Sequence, residues 1–190
     1  MHKQTVLFAL CLLFTVATAE AGKIAGIEIQ DTYTLPGSDS ILRLNGAGIR
    51  EKFFLDIYIG ALYLPSTSAD VDTILNDNQA ASVLMHFLYS EVSKQKITDG
   101  WKDGLDDNLG KEQMAALAPR LEKFNSLFRT VHEGDEIRID YLPESGTNVR
   151  INGEWRGAVE GNDFFRALLR IWLGSDPVSK PLKQAMLGAG

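Results

Sequence analysis

Cysteine is almost absent from this sequence of 190 residues. The only one, Cys11, lies in an apolar run near the amino terminus, and it follows Leu10 where a lipid-attachment signal would have a small residue. Without that run the chain has no thiol, which excludes a disulfide, a cysteine nucleophile and a cysteine-based metal site. The remaining chain of about 170 residues is long enough to be stabilised by its hydrophobic core.

Signals for other kinds of chemistry are missing as well. The sequence contains no Gly-x-Ser-x-Gly motif of a nucleophilic serine. We interpret His86 as a core histidine and His132 as a loop or cap residue, because histidines without cysteine make a poor zinc set. Gly46-Ala47-Gly48 lacks the third glycine of a dinucleotide-binding turn. We therefore expect no metal and no cofactor.

The number and spacing of charged residues argue against two further classes of function. The net charge of −6 argues against nucleic-acid binding, which needs a basic face. A run of acidic side chains does not have the spacing of a calcium loop and indicates a solvated helix face: Asp103, Asp106, Asp107 and Glu112.

Residues 1–19 predict a signal peptide, and residues 20–190 one domain. Lys3 provides a positive start, residues 6–16 are apolar but too short to span a bilayer comfortably, and small residues at 17–19 match a cleavage site. A second cleavage pattern at 19–21 and an uncleaved anchor are the alternatives. We expect export to a bacterial periplasm, with a secreted eukaryotic protein as the alternative, and no stable membrane insertion after cleavage.

Alternation of apolar residues predicts a strand or hairpin at 24–35 and strands at 40–44, 50–64, 81–88, 135–142, 148–151 and 154–159. Turns are predicted at 36–39, at 45–48 and at Asn152-Gly153, the strongest hairpin signal in the chain.

Helical spacing predicts a short helix ending near residue 75, one ended by Gly110, one from about residue 111 that Pro119 bends or starts, one capped by Asn162 and a terminal one after Ser179. Ser68 or Asp70 is the candidate cap of the first, and Ser90 or Ser93 that of the second. This order predicts an α+β fold with one mostly antiparallel sheet and helices on one face.

Arg50 is the most informative residue. The predicted glycine-rich turn delivers it to a long apolar strand on which Ile57 and Ile59 face one way and Tyr58 the other. A guanidinium stays charged and binds two oxygens at once, so it could hold a carboxylate or phenolate with an apolar body. A solvated charge beside a turn is the alternative, and Tyr89 could equally be a half-buried strand tyrosine.

Three segments resemble the chalcone isomerase family. They are Asn45-Gly46-Ala47-Gly48-Ile49-Arg50 with residues 52–53 and 60–64, then Leu88-Tyr89-Ser90-Glu91 before a helix with Trp101, and finally residues 164–187. The sequence is most similar to the bacterial, exported chalcone-isomerase-like proteins. The resemblance implies an open-faced β-sandwich, with a large antiparallel sheet backed by helices.

The resemblance also implies site residues. Arg50 and Tyr89 fall on the arginine and tyrosine that stabilise the phenolate and enolate in the plant enzymes, and these are the candidate catalytic pair. Ile57 replaces the family's strand threonine, and Lys96 or a neighbour replaces its helix asparagine, so Ile57 and Lys96 become ligand-binding candidates without the polar groups that orient a ketone. Each such loss could lower a rate by about 10²-fold or more.

Three functions follow as hypotheses. The first is a binding protein that holds a small apolar acid or phenol, such as a fatty or aromatic acid, through Arg50 and Tyr89 without efficient catalysis. The family's fatty-acid-binding relatives imply this use of the pair. The second is a cofactor-free intramolecular lyase that cyclises a chalcone-like substrate. The third is a structural or interaction partner of an envelope protein. The sequence leaves the oligomeric state open.

Overall fold

The computed structural model describes residues 22–188, so the predicted signal peptide lies outside the described residues. The strands and helices alternate in blocks along the chain. In chain order they are β1 (Lys23–Ile24), β2 (Ile27–Glu28), β3 (Thr32–Thr34), β4 (Ile41–Lys52), β5 (Leu55–Leu64), α1 (Val71–Asn76), β6 (Ala81–Phe87), β7 (Glu91–Val92), α2 (Lys94–Asp106), α3 (Lys111–Ser126), β8 (Val131–His132), β9 (Glu136–Leu142), β10 (Gly146–Ile151), β11 (Glu154–Val159), α4 (Asn162–Leu173) and α5 (Lys180–Met186).

One seven-stranded sheet organises the molecule. Its strands run in the order β11-β10-β9-β6-β5-β4-β3, and the neighbouring strands are antiparallel. The helices pack on one face, where α4 is buried along most of its length and contacts α1, α2, α5 and β10. The predicted α+β fold, a large antiparallel sheet backed by helices, is confirmed. In the described part of the chain, no helix has the length and apolarity needed to cross a membrane.

The opposite face of the sheet carries a second, smaller core and a buried polar group. Ile59, Ala61 and Tyr63 of β5 pack there. Asp140 is almost fully buried and accepts hydrogen bonds from the Ser82 hydroxyl at 2.7 Å and the Tyr33 hydroxyl at 3.0 Å. These bonds satisfy a carboxyl group whose burial would otherwise be costly.

The hairpin of β4 and β5 differs from the prediction. The segment 45–48, predicted as a turn, lies inside β4, and the single strand predicted over 50–64 is wrong because the chain reverses at Phe53-Phe54. Both residues have positive φ, 51° and 64°, as a two-residue hairpin of type I′ requires. Their side chains are 83% and 101% exposed. Aromatic residues are unfavourable in this conformation, so no turn signal is visible in the sequence at these two positions.

The glycines of β4 serve close packing instead of a turn. A Cβ at Gly46 would collide with the carbonyl oxygen of Ala185, and a Cβ at Gly48 would lie 2.5 Å from the Cβ of Ala185. Glycine therefore lets α5 lie directly on the strand. The bulge after Leu44 accommodates Asn45, whose side-chain amide donates to the carbonyl of Met186 at 2.8 Å.

Most element ends follow their sequence signals. The Ser93 hydroxyl accepts from the amide of Lys96 at the start of α2, as predicted, and Asp70 caps α1 in the same way. The hairpin turn at Asn152-Gly153 is also confirmed by the pairing of β10 with β11. Of the two alternatives for Pro119, the start of the helix is wrong, because Pro119 lies inside α3. The predicted cap of α4 is also wrong, because Gly161 and not Asn162 is the cap.

Candidate functional site

Arg50 lies near the end of β4 on the face that the helices cover. It pairs with Tyr58 across the β4–β5 ladder, and its guanidinium carbon is 5.7 Å from the centre of the Tyr58 ring. The side chain is half-buried, and its Nε is buried without a hydrogen-bond partner among residues 22–188. A buried donor without an acceptor costs about 1–3 kcal/mol, so an acceptor that reached this atom would bind favourably.

Tyr58 forms the aromatic floor beside that guanidinium. Its hydroxyl accepts a hydrogen bond from Nε1 of Trp172 on α4 at 3.0 Å. Burial raises the pKa of the Tyr58 phenol, and the positive charge of Arg50 and the Trp172 bond oppose that effect only in part. The phenol therefore stays neutral near pH 7, and it leaves the charge of Arg50 available to an anion.

Tyr89 follows β6 at the same end of the sheet. The carbonyl of Ile57 accepts hydrogen bonds from the amides of Leu88 at 3.0 Å and Tyr89 at 3.2 Å. Arg50 and Tyr89 thus belong to segments on either side of β5, and two strand spacings put their backbones about 10 Å apart. The structure brings both to one end of the sheet, and their assigned roles remain predictions.

Ile57 and Lys96 are placed differently from each other. The register shift between Arg50 and Glu51 leaves Ile57 as the extra residue of a bulge. Because of that bulge it packs against the core on the helix side, and the predicted grouping of Ile57 with Ile59 on one face is wrong. Lys96 lies in the first turn of α2 with an exposed side chain. Their predicted ligand contacts are untested.

Helix α5 covers the sheet beside Arg50. A Cβ at Gly60 of β5 would lie 3.2 and 3.3 Å from the two methyl carbons of Leu182. Two cavities lie elsewhere. One cavity of about 340 Å³ lies between α1, α3 and α4, and another of about 780 Å³ lies near residues 37–42 and 142–145. Arg50 and Tyr89 line neither cavity, and α5 is the element that covers the sheet beside Arg50.

His86 behaves as the sequence indicates, whereas His132, predicted as a loop or cap residue, lies in the two-residue strand β8. Nδ1 of His86 is 3.1 Å from a carboxylate oxygen of Glu136, so this histidine is satisfied by a neighbouring strand. His132 lies at the surface, 3.4 Å from Glu91. Among residues 22–188 no three histidine, cysteine or acidic side chains are grouped as a metal site would need.

The sequence reasoning missed two residues of α4. The hydrogen bond from Trp172 to Tyr58 depends on long-range packing that no local pattern reports. Arg166, only 7% exposed, was not singled out. A signal for it existed, because it is a charge inside an otherwise apolar helical run, and buried charges usually have a specific role.

The comparisons with known proteins agree with this fold. A family model described as chalcone isomerase-like matches residues 21–188. The crystal structure of a fatty-acid binding protein from Arabidopsis thaliana superposes with a TM-score of 0.69 at 18% sequence identity, covering 85% of this chain and 92% of that one. No protein with a curated description matches the sequence. At that identity the superposition establishes the fold, and the family model decides the classification: the chain belongs to the chalcone isomerase-like family.

Proposed function

We propose that the protein binds a small amphiphilic acid or phenol, such as a fatty or aromatic acid, whose charged oxygen pairs with Arg50. The observation that carries this proposal is the half-buried guanidinium, which has a buried Nε without a partner among residues 22–188. Its surroundings support a ligand with an apolar body. Tyr58 and Ile57 pack into the helix-side core next to it. Tyr89, in the neighbouring segment, is the proposed second contact.

Binding without efficient catalysis is the form of this proposal that the side chains favour. A lyase of the chalcone isomerase type would need polar groups that orient the ketone, and here Ile57 packs against the apolar core while Lys96 is exposed. Electrostatic stabilisation by preorganised donors is the largest contribution to such catalysis, so these two positions lower the expected rate. Export to the periplasm remains part of the proposal, since it depends on residues 1–19.

The test is a titration of purified protein with dodecanoate and with cinnamate, followed by calorimetry. Arg50→Gln should weaken binding of both acids by at least about tenfold, because a charge-assisted hydrogen bond contributes about 1.5–3 kcal/mol. Arg43→Gln is the matched control, since Arg43 is an exposed arginine of the same strand and should bind like the wild type. Equal affinity in the wild type and Arg50→Gln would refute the proposal.

The lyase alternative is tested in the same preparation. Conversion of naringenin chalcone to the flavanone faster than the spontaneous reaction, and lost in Arg50→Gln, would establish catalysis in place of binding alone.

One observation favours the interaction hypothesis as a second candidate. Phe53 and Phe54 expose an aromatic pair at the tip of the β4–β5 hairpin, a kind of surface that partner proteins use. Phe54→Ser should leave acid binding unchanged if the tip serves a partner and not the ligand.

A further inference from the structure

A second site lies between α1, α3 and α4, in the cavity of about 340 Å³. This volume falls in the range of about 300–1,000 Å³ that small-molecule pockets have. Its apolar wall includes Leu75, Leu109 and Leu117, and its polar wall includes Arg166 and Arg170 of α4. Arg50 and Tyr89 do not line it, so its chemistry is independent of the function proposed above.

Arg166 brings a fixed and incompletely paired cation to this cavity. Its Nη1 donates to the carbonyl of Ile74 at 3.0 Å and its Nη2 to that of Gln79 at 3.2 Å. These two bonds hold the guanidinium in place. Only 7% of the residue is exposed, and its Nε has no hydrogen-bond partner among the described residues. Such a buried N–H is unfavourable until an acceptor reaches it.

Arg170 adds a second cation one turn further along α4. This residue is half-buried and lines the same cavity. Within residues 22–188 its guanidinium makes no hydrogen bond or ion pair, in contrast to the guanidinium groups of Arg166 and Arg120. Two arginines at this spacing repel each other, and helices bear such a pair at a cost of about 0.2–0.5 kcal/mol. An anion between them would remove that repulsion.

The acidic side chain of the cavity is already neutralised. Asp163 accepts hydrogen bonds from Nη1 and Nη2 of Arg120 at 2.7 and 2.6 Å. This pairing holds the pKa of the Asp163 carboxyl below its usual range. The cavity therefore carries a net positive charge in a chain whose total charge is −6.

We propose that the cavity between α1, α3 and α4 binds a small organic monocarboxylate, with its carboxylate between Arg170 and the Nε of Arg166. Its apolar part lies against Leu109 and Leu117. Arginine suits this role because its planar donors match a carboxylate. The leucines favour an organic acid over an inorganic anion, because they offer no donor to a fully charged ion.

The experiment is an NMR titration of the isotopically labelled full chain with octanoate and with benzoate. Amide signals of Ala167 and Leu117 should shift in both the wild type and Arg50→Gln, which separates this site from the one at Arg50. Arg170→Gln should weaken that binding by at least about tenfold, and Arg170→Lys should restore part of it. Lys123→Gln is the matched control, since it removes the same charge from an exposed position of α3 outside the cavity.

Four results would overturn the inference. The first is an absence of shifts at the cavity, and the second is equal affinity in Arg170→Gln and Lys123→Gln. The third is equally tight binding of octanamide, which has the same chain without the charge. The fourth is equally tight binding of inorganic phosphate, which would assign the cavity to simple anions. Arg170 is used for the test instead of Arg166, because Arg166 also holds the end of α1 and its removal would disturb folding.

Discussion

Gly48 is the position where adding one methyl group should disturb the packing most clearly. A Cβ there would lie 2.5 Å from the Cβ of Ala185, whereas carbon atoms in ordinary contact are about 3.5–4.0 Å apart. In Gly48→Ala, helix α5 would have to retreat by about 1 Å, and overpacking of this kind costs about 1–3 kcal/mol. The better strand propensity of alanine offsets about 0.5–1 kcal/mol of that cost.

We therefore expect Gly48→Ala to lower the free energy of unfolding by about 1–2 kcal/mol. Urea denaturation followed by tryptophan fluorescence measures this directly, because Trp172 and Trp101 lie in the core on the same side of the sheet. Gly100→Ala is the control. Gly100 is exposed in α2 with nothing within 4 Å of its added Cβ, so this variant should gain about 0.5–1 kcal/mol.

A double variant identifies the contact itself. Ala185→Gly removes the partner methyl group and alone costs about 1 kcal/mol of helix propensity. If the two methyl groups collide, Gly48→Ala with Ala185→Gly should be more stable than the sum of the single effects by about 1 kcal/mol. Additivity within about 0.5 kcal/mol, or a Gly48→Ala protein as stable as the wild type, would refute the close approach of α5 to β4.

Two further predictions concern the turn and an ion pair. Phe54→Gly should raise the free energy of unfolding by about 1 kcal/mol, because removing a fully exposed ring costs no packing and glycine adopts the positive φ without strain. A loss of stability in urea denaturation would contradict this prediction. Arg120→Met should return the pKa of Asp163 towards its usual value in NMR titrations. The pKa of Asp163 is lower in the folded than in the unfolded state, so the ion pair's contribution to stability is present above the usual aspartate pKa and is lost as the pH falls through the folded value. An unchanged titration curve would show that Arg120 does not cause the low pKa of Asp163.

The strongest local signals in the sequence predicted most of the fold. Asn152-Gly153 forms its hairpin because both residues tolerate positive φ, 51° and 78°. The four-residue stripe of Ile97, Trp101 and Leu105 produces α2, since one apolar side of a helix is enough to define it. These features depend on neighbours within a few residues, which a single sequence displays.

The errors occur where distant contacts override local preference. Gly46 and Gly48 resemble a turn in the sequence, yet they lie in a strand where a side chain would collide with α5. Ala185 of α5, which approaches Gly48, is more than 130 residues away in the sequence. Phe53 and Phe54 do not resemble a turn, yet strand pairing on both sides imposes one.

The candidate site follows the same division. Arg50 was found because its own segment carries a family pattern, and the structure places it beside Tyr58. The cavity of Arg166 and Arg170 was not found, because three helices separated in sequence enclose it. A charge inside an apolar helix is a local signal for one residue of such a site, but it does not identify the partners.

Asn45 joins β4 to α5, an element far away in the sequence. Its amide nitrogen binds the carbonyl of Met186 across 141 positions of sequence, and the amide of Ser68 donates to its oxygen at 2.7 Å. Contacts of such long range slow folding, because the entropy of closing the intervening loop is lost before the contact stabilises the fold. A growing polypeptide would thus leave the helix-side surface of β4 uncovered until α5 has been synthesised.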